Sequence, residues 1–322
     1  MALIPDNEKH LLQIQAGALG RKKGHSFEQE IANYINLNKL GEINNEKLKS
    51  NIIIGNPAEV LINYIKKSEN ISEISSLTAI CTGILATSEN KKKELKIDGK
   101  IIDKSKSDLI LIIYHNNKKK IIGVSTKQCN NKTPTNAQLY FTTAKGFSDL
   151  LRRNGMNVPD FAEMSLKQFC GEKGFNPIDD RVQNREIDPR RYFWEEINTN
   201  GKEFWEKILN ENQKKISEIL FKFAYEGDNF IPQYLLHKTK KSDSFITSEN
   251  AIYNIDELIQ KSMNYKKFYK KTYRVNKGSY KEIENIIHEA PRFGIIQMQR
   301  GGQKQHPTQL QFNLEAGYFY KI

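Results

Sequence analysis

The sequence predicts a mixed α/β (α+β) fold. Three observations carry that reading. Two helical periods stand near the start, over 26–38 and 57–67. A buried β-hairpin follows at 108–126. A strongly periodic helix at 203–224 then leads into short strands spread over the carboxyl-terminal third.

The elements are justified in chain order. In SFEQEIANYINLN, Ser26 is suited to cap a helix, and Phe27, Ile31, Tyr34 and Ile35 fall at helical spacing. Pro57 opens PAEVLINYIKK, with Val60, Leu61, Tyr64 and Ile65 on one face. Residues 73–87 are apolar but fit helix and strand equally, and a lysine-rich segment, 91–107, follows them. DLILIIY at 108–114 and IIGVST at 121–126 are continuous apolar runs about a turn at Asn116 and Asn117, a hairpin buried on both faces. Residues 137–153 are expected to be helical, 171–190 loop, and 203–224 helix. Strands are expected at 230–238, 294–300 and 308–314.

The chain has 322 residues, long enough for two domains, expected over 1–175 and 176–322 or fused as one. It carries 50 Lys+Arg against 38 Asp+Glu, a formal net charge of +12. That excess makes nucleic acid the leading partner. An AT-rich coding genome would inflate the lysine share by itself, which weakens this inference. No apolar run is long enough for a membrane span, and MALIPDNEKH lacks the basic-then-apolar pattern of a secretory signal. Cys81, Cys129 and Cys170 are odd in number and far apart, which suits small buried residues in a reducing compartment. The six histidines show no zinc-ligand spacing. Trp194 and Trp205 fit apolar helix faces.

The chemistry concentrates on the hairpin. Asp108 enters its first strand and Lys127 leaves its second, with Ser125 two residues before. Period two puts Ser125 and Lys127 on one face, and antiparallel pairing brings Asp108 beside them. A carboxylate and a lysine at a sheet end suit metal-assisted phosphodiester hydrolysis. Glu28 shares a helix face with Ile31, Ala32 and Ile35, so it points toward the hairpin more than Glu30 does. Gln128, Asn130, Asn131 and Lys132 follow the hairpin directly.

Two further stretches bear on binding. Residues 264–281 hold seven Lys/Arg, five Tyr/Phe and no acid. That composition predicts that Lys266, Lys267, Lys270, Lys271 and Arg274 track phosphates. Near the carboxyl end, Arg300 precedes two glycines and the polar run Gln303, Lys304, Gln305 and His306. Arg and Gln are suited to reading base edges.

The SDLIL…VSTK hairpin, the FEQEIA helix, the RRYFWEEI stretch and the terminal QRGG…LQF segment together resemble type II restriction endonucleases of the PD-(D/E)xK superfamily, specifically small enzymes that cut short G/C-containing palindromes. The resemblance implies a mixed central sheet flanked by helices. It also implies a Mg2+-dependent deoxyribonuclease acting on double-stranded DNA at a short specific sequence. Asp108 would bind the metal with Glu28 and Thr126, and Lys127 would be the active-site lysine. A cognate DNA methyltransferase in a prokaryotic host, a cytoplasmic location, and action as monomer or homodimer follow from the class. Ser125 departs from the superfamily pattern, which has an acid at that place; a hydroxyl is a poorer Mg2+ ligand. A structure-selective repair nuclease of the same fold and a non-catalytic DNA-binding protein are the other readings.

Overall fold

A computed structural model describes residues 8–38, 50–83, 95–102, 105–177, 191–265, 268–273, 287–301 and 308–322. The chain divides into two compact units, each drawing on both sides of residue 175. Unit 1 takes 1–15, 138–220 and 261–315, and unit 2 takes 16–137, 221–260 and 316–322. The division expected at 175/176 is therefore not the one the contacts define.

Unit 2 is built on a six-stranded mixed sheet. Its strands are β1 (Ile52–Gly55), β2 (Ser76–Cys81), β5 (Leu109–His115), β6 (Lys118–Gln128), β8 (Pro232–Lys238) and β9 (Ser248–Asn254). They lie in the order β1-β9-β8-β6-β5-β2. The β6–β8 pair is parallel; the other pairs are antiparallel. A two-stranded ribbon, β3 (Lys96–Ile97) and β4 (Lys100–Ile101), occupies part of the lysine-rich segment. Asn116 and Asn117 both take positive φ, 46° and 57°, in the two-residue turn that joins β5 to β6. Asn tolerates that conformation, and a turn with two positive φ values matches the strand twist.

Helices α1 (Glu8–Asn38) and α2 (Pro57–Ser68) cover one face of this sheet. Phe27, Ile31 and Ile35 of α1 and Leu61 and Ile65 of α2 pack with Leu109, Leu111, Ile113, Val124, Leu236 and Ile252 in one buried cluster. Each such side chain contributes about 1.5–3 kcal/mol on burial. α2 begins as expected, with Asn56 accepting from Ala58 N at 2.9 Å. α1 begins earlier than expected: Ser26 is inside the helix and caps nothing. Glycines at 20 and 24 cost propensity there without breaking the helix. The ambiguous 73–87 stretch resolves as strand β2; residues 84–87 lie outside the described residues.

Unit 1 carries a five-stranded sheet. Its strands are β7 (Ala137–Thr143), β10 (Phe268–Tyr273), β11 (His288–Phe293), β12 (Ile296–Arg300) and β13 (Gln309–Leu314), in the order β10-β11-β12-β13-β7. Its helices are α3 (Ala144–Arg153), α4 (Asp160–Cys170), α5 (Thr199–Glu211) and most of α6 (Gln213–Lys222). A further helix, α7 (Ile255–Ser262), follows β9. The helix expected over 137–153 is instead β7 followed by α3. Leu139, Tyr140, Phe141 and the threonines favour a strand, and Thr143 caps the helix by accepting from Gly146 N at 3.0 Å. The helix expected at 203–224 is split at Asn212. Trp194 and Trp205 are fully buried, and Cys81, Cys129 and Cys170 are free and buried. No described helix is long and apolar enough to cross a membrane.

Gly123 shows how closely β6 fits its surroundings. A Cβ there would lie 2.2 Å from Ser107 Oγ and 2.6 Å from the Ile231 carbonyl oxygen, whereas one at Gly24 would meet nothing within 4 Å. Gly123→Ala is expected to lower unfolding free energy by about 1–3 kcal/mol. Gly24→Ala is expected to raise it by about 0.5–1 kcal/mol, the helical preference for Ala over Gly. Urea midpoints of the two variants, read side by side, check the contrast.

Candidate active site

Asp108 is fixed by its own backbone before its side chain does anything. Its N–H donates to Val124 O at 2.8 Å, and its carbonyl accepts from Thr82 N at 3.0 Å. That double tie holds it between β2 and β6 at the entry of β5. Its Oδ2 then accepts from Ser125 Oγ at 3.1 Å, Thr126 N at 2.7 Å and Lys127 Nζ at 3.1 Å. Lys127 Nζ also donates to Ser125 Oγ at 3.1 Å and Thr126 O at 2.7 Å. The four residues form one hydrogen-bonded constellation, with Ser125 and Thr126 buried and the ion pair partly open.

Glu28 reaches the same place from α1. The Cys81 thiol donates to its Oε2 at 3.8 Å, and its carboxyl is pushed up to about 8 from 4.5. Burial is the largest cause and the Asp108 carboxylate the next, with Lys127 opposing. The Cys81 thiol is pushed up to about 11, by burial and then by Glu28.

Two buried bases complete the surroundings. Lys106 is 7% exposed and drawn down to about 7, first by burial and then by repulsion from Lys127. Its backbone N–H donates to Asp228 Oδ2 at 2.5 Å, which ties the approach to β5 to the turn before β8. His237 on β8 stands in register with Lys127 and is fully buried. It is drawn down to about 3 by burial and then by Lys127. Sequence reasoning missed both. Lys106 belongs to a lysine-rich run that reads as solvated, and His237 to an apolar strand.

The donor set bears on a metal. Two carboxylates that repel each other in a half-buried site need a cation, and oxygen donors suit a hard one that keeps part of its water. No group of three or more His, Cys, Asp or Glu able to hold a metal ion occurs among the described residues. The oxygens of Asp108 and Glu28 are of the type that a hard cation such as Mg2+ takes.

The remaining sequence candidates separate. Gln128 donates to Lys23 O at 2.6 Å, joining the end of β6 to α1. Asn130, Asn131 and Lys132 are exposed just beyond, with Lys22 and Lys23 exposed on α1. Lys270 lies in unit 1 with its ammonium on Glu289 at 3.0 Å and Glu206 at 3.7 Å. The acid-free window at 264–281 is thus neutralised there from other elements. Lys271 stands opposite Ala290 in the β10–β11 ladder. Arg300 stacks 4.5 Å from the Phe193 ring centroid and 5.3 Å from that of Phe169, and donates to Tyr192 O and Phe169 O. That guanidinium braces unit 1 from inside, a role that the expected reading of base edges did not include. Lys266, Lys267, Arg274, Gln303, Lys304, Gln305 and His306 lie outside the described residues.

No family model matches the chain. No curated protein matches it either. Among solved structures, restriction endonuclease MspI in complex with its cognate DNA is similar over 79% of this chain and 78% of that chain, with TM-score 0.43 and 11% identity. A likeness that loose leaves the functional reading to the site's own geometry.

Glu28 makes the site sensitive to pH. The folded protein holds this proton more tightly than the unfolded chain does. The associated stability is therefore complete below pH 4.5 and lost as pH rises through about 8. Glu28→Gln removes the titration. In EDTA its stability relative to wild type should be near zero at about pH 5 and rise with pH, to at most roughly 4 kcal/mol by about pH 9. Urea midpoints at the two pH values check this; parallel shifts would contradict it.

Proposed function

We propose that this chain is a Mg2+-dependent, site-specific deoxyribonuclease that hydrolyses phosphodiester bonds of double-stranded DNA, of the type II restriction class. The observation that supports it is the meeting of Asp108 Oδ2 with Lys127 Nζ at 3.1 Å, with the Glu28 carboxyl in electrostatic contact with both. Asp108 and Glu28 would hold the cation, with Thr126 beside them. When bound, Mg2+ neutralises phosphate charge and acidifies water, which phosphodiester hydrolysis needs. Lys127 then orients the attacking water and balances charge at the phosphate. Ser125 keeps the lysine and Asp108 in register, and is a positioning residue in this reading.

Around the centre, Gln128, Asn130, Asn131 and Lys132 would contact the DNA strand near the cut. Lys266, Lys267, Lys271 and Arg274 would supply phosphate contacts. Base reading would fall to Gln303, Lys304, Gln305 and His306, with Arg300 beside them in sequence. The class implies a cognate methyltransferase that protects host DNA, and action as monomer or homodimer. Ser125 at the place of an acid favours a second reading, DNA binding without catalysis, and cleavage abolished by EDTA excludes it.

The test is digestion of a sequenced plasmid with Mg2+, with fragment ends read. Discrete fragments support site specificity; random nicking points to a structure-selective nuclease. Asp108→Ala should abolish cutting while duplex binding in Ca2+ persists. Lys127→Ala should lose at least about 10²-fold in single-turnover rate. Ser125→Ala should be milder than Glu28→Ala, and the reverse ranking would move the second ligand.

A further inference from the structure

α1 carries one more residue into this site. A Cβ built on Gly83, just past β2, would lie 2.4 Å from Glu28 Oε2 and 3.0 Å from His25 Nδ1. Those two atoms therefore flank one bare Cα and are at most about 5.4 Å from each other. Separated by no more than that, both can reach one phosphate group. His25 and Glu28 are three residues apart, so they share a helix face. Along that face Ile35 and Ala32 are buried, Glu28 and His25 are half-buried, and Lys22 is exposed. The stripe thus runs from the core, past the Glu28 carboxyl, to an ammonium in solvent. An imidazole keeps one N–H donor in either neutral tautomer, which an ionised carboxylate cannot offer.

We propose that His25 is a substrate-contacting residue, donating a hydrogen bond to a non-bridging oxygen of a DNA phosphate beside Glu28. This rests on the nuclease reading above. Lys22, one turn earlier, would meet the next phosphate along the strand.

Three variants test it: His25→Ala, His25→Gln, which keeps a side-chain donor, and Lys22→Ala. Each is measured for single-turnover plasmid cleavage over a Mg2+ titration, and for binding of a mixed-sequence duplex in Ca2+. Thermal melting confirms folding. His25→Ala should weaken duplex binding and slow cleavage by about ten- to a hundredfold, the range for a hydrogen bond to a charged group. The Mg2+ needed for half-maximal rate should be unchanged, and His25→Gln should recover part of the loss. Lys22→Ala should flatten the log–log salt dependence of binding by about 0.9. If His25→Ala raises only the Mg2+ requirement, it acts through Glu28 and the proposal fails. Wild-type behaviour in both assays overturns it equally. A wild-type chain that binds DNA without cutting removes the nuclease reading but leaves the binding comparison to decide His25. A chain that neither binds nor cuts overturns both.

Discussion

The rest of unit 2 depends on how Asp108 is held. Its backbone is bonded on one side to β6 and on the other to the residue after β2, before its carboxylate meets any side chain. A backbone fixed this way presents the carboxylate to the residues of β6. The three groups it accepts from come from consecutive residues of β6, so strand pairing alone sets their geometry. Ser107 reinforces the arrangement by donating to Phe230 O, and Thr82 by donating 2.5 Å to Ser107 O. The site is rigid because it is made of ladder and not of loop.

That rigidity creates an electrostatic problem which the surroundings resolve by neutralising. One ion pair, Asp108 with Lys127, is partly open to water. The groups packed around it are driven toward their uncharged forms: Glu28 upward, Lys106 and His237 downward. Burial is the first cause in each, since a low-dielectric setting penalises whichever form is charged. A cation entering beside Asp108 would reverse the balance at Glu28, taking its proton's place. Metal uptake would then be coupled to proton release at Glu28.

Unit 1 handles charge by pairing. Arg292 and Glu315, both nearly buried, form an ion pair, and Tyr269 stacks on that guanidinium at 4.8 Å. His288 meets Glu195 at 2.7 Å with its ring stacked on Phe193. Arg300 lies over Phe193 as well. Guanidinium planes lie on aromatic rings here, and the donors of Arg300 go to backbone carbonyls. Basic residues here serve packing.

Local signals were enough for the hairpin and for α2. The Asn116–Asn117 turn sets the register, the apolar runs set the burial, and counting outward from the turn brings Asp108 opposite Ser125, two residues from Lys127. Proline at the first helical position marks α2. The direction of Glu28 was also legible, because helical spacing alone separates it from Glu30. Other features needed the folded chain. Capping by Thr143 outweighed the helical pattern upstream of it, and α1 ran through Ser26 because nothing downstream required a start there. The burial of Lys106, the register of His237 with Lys127 and the convergence of His25 with Glu28 on Gly83 join segments far apart in sequence. So do the acids that neutralise Lys270. Strand pairing and helix packing decide those neighbours, and a residue's charge state follows from its neighbours. The sequence by itself determined which strands carry the chemistry; only the tertiary structure decided the electrostatic setting in which that chemistry sits.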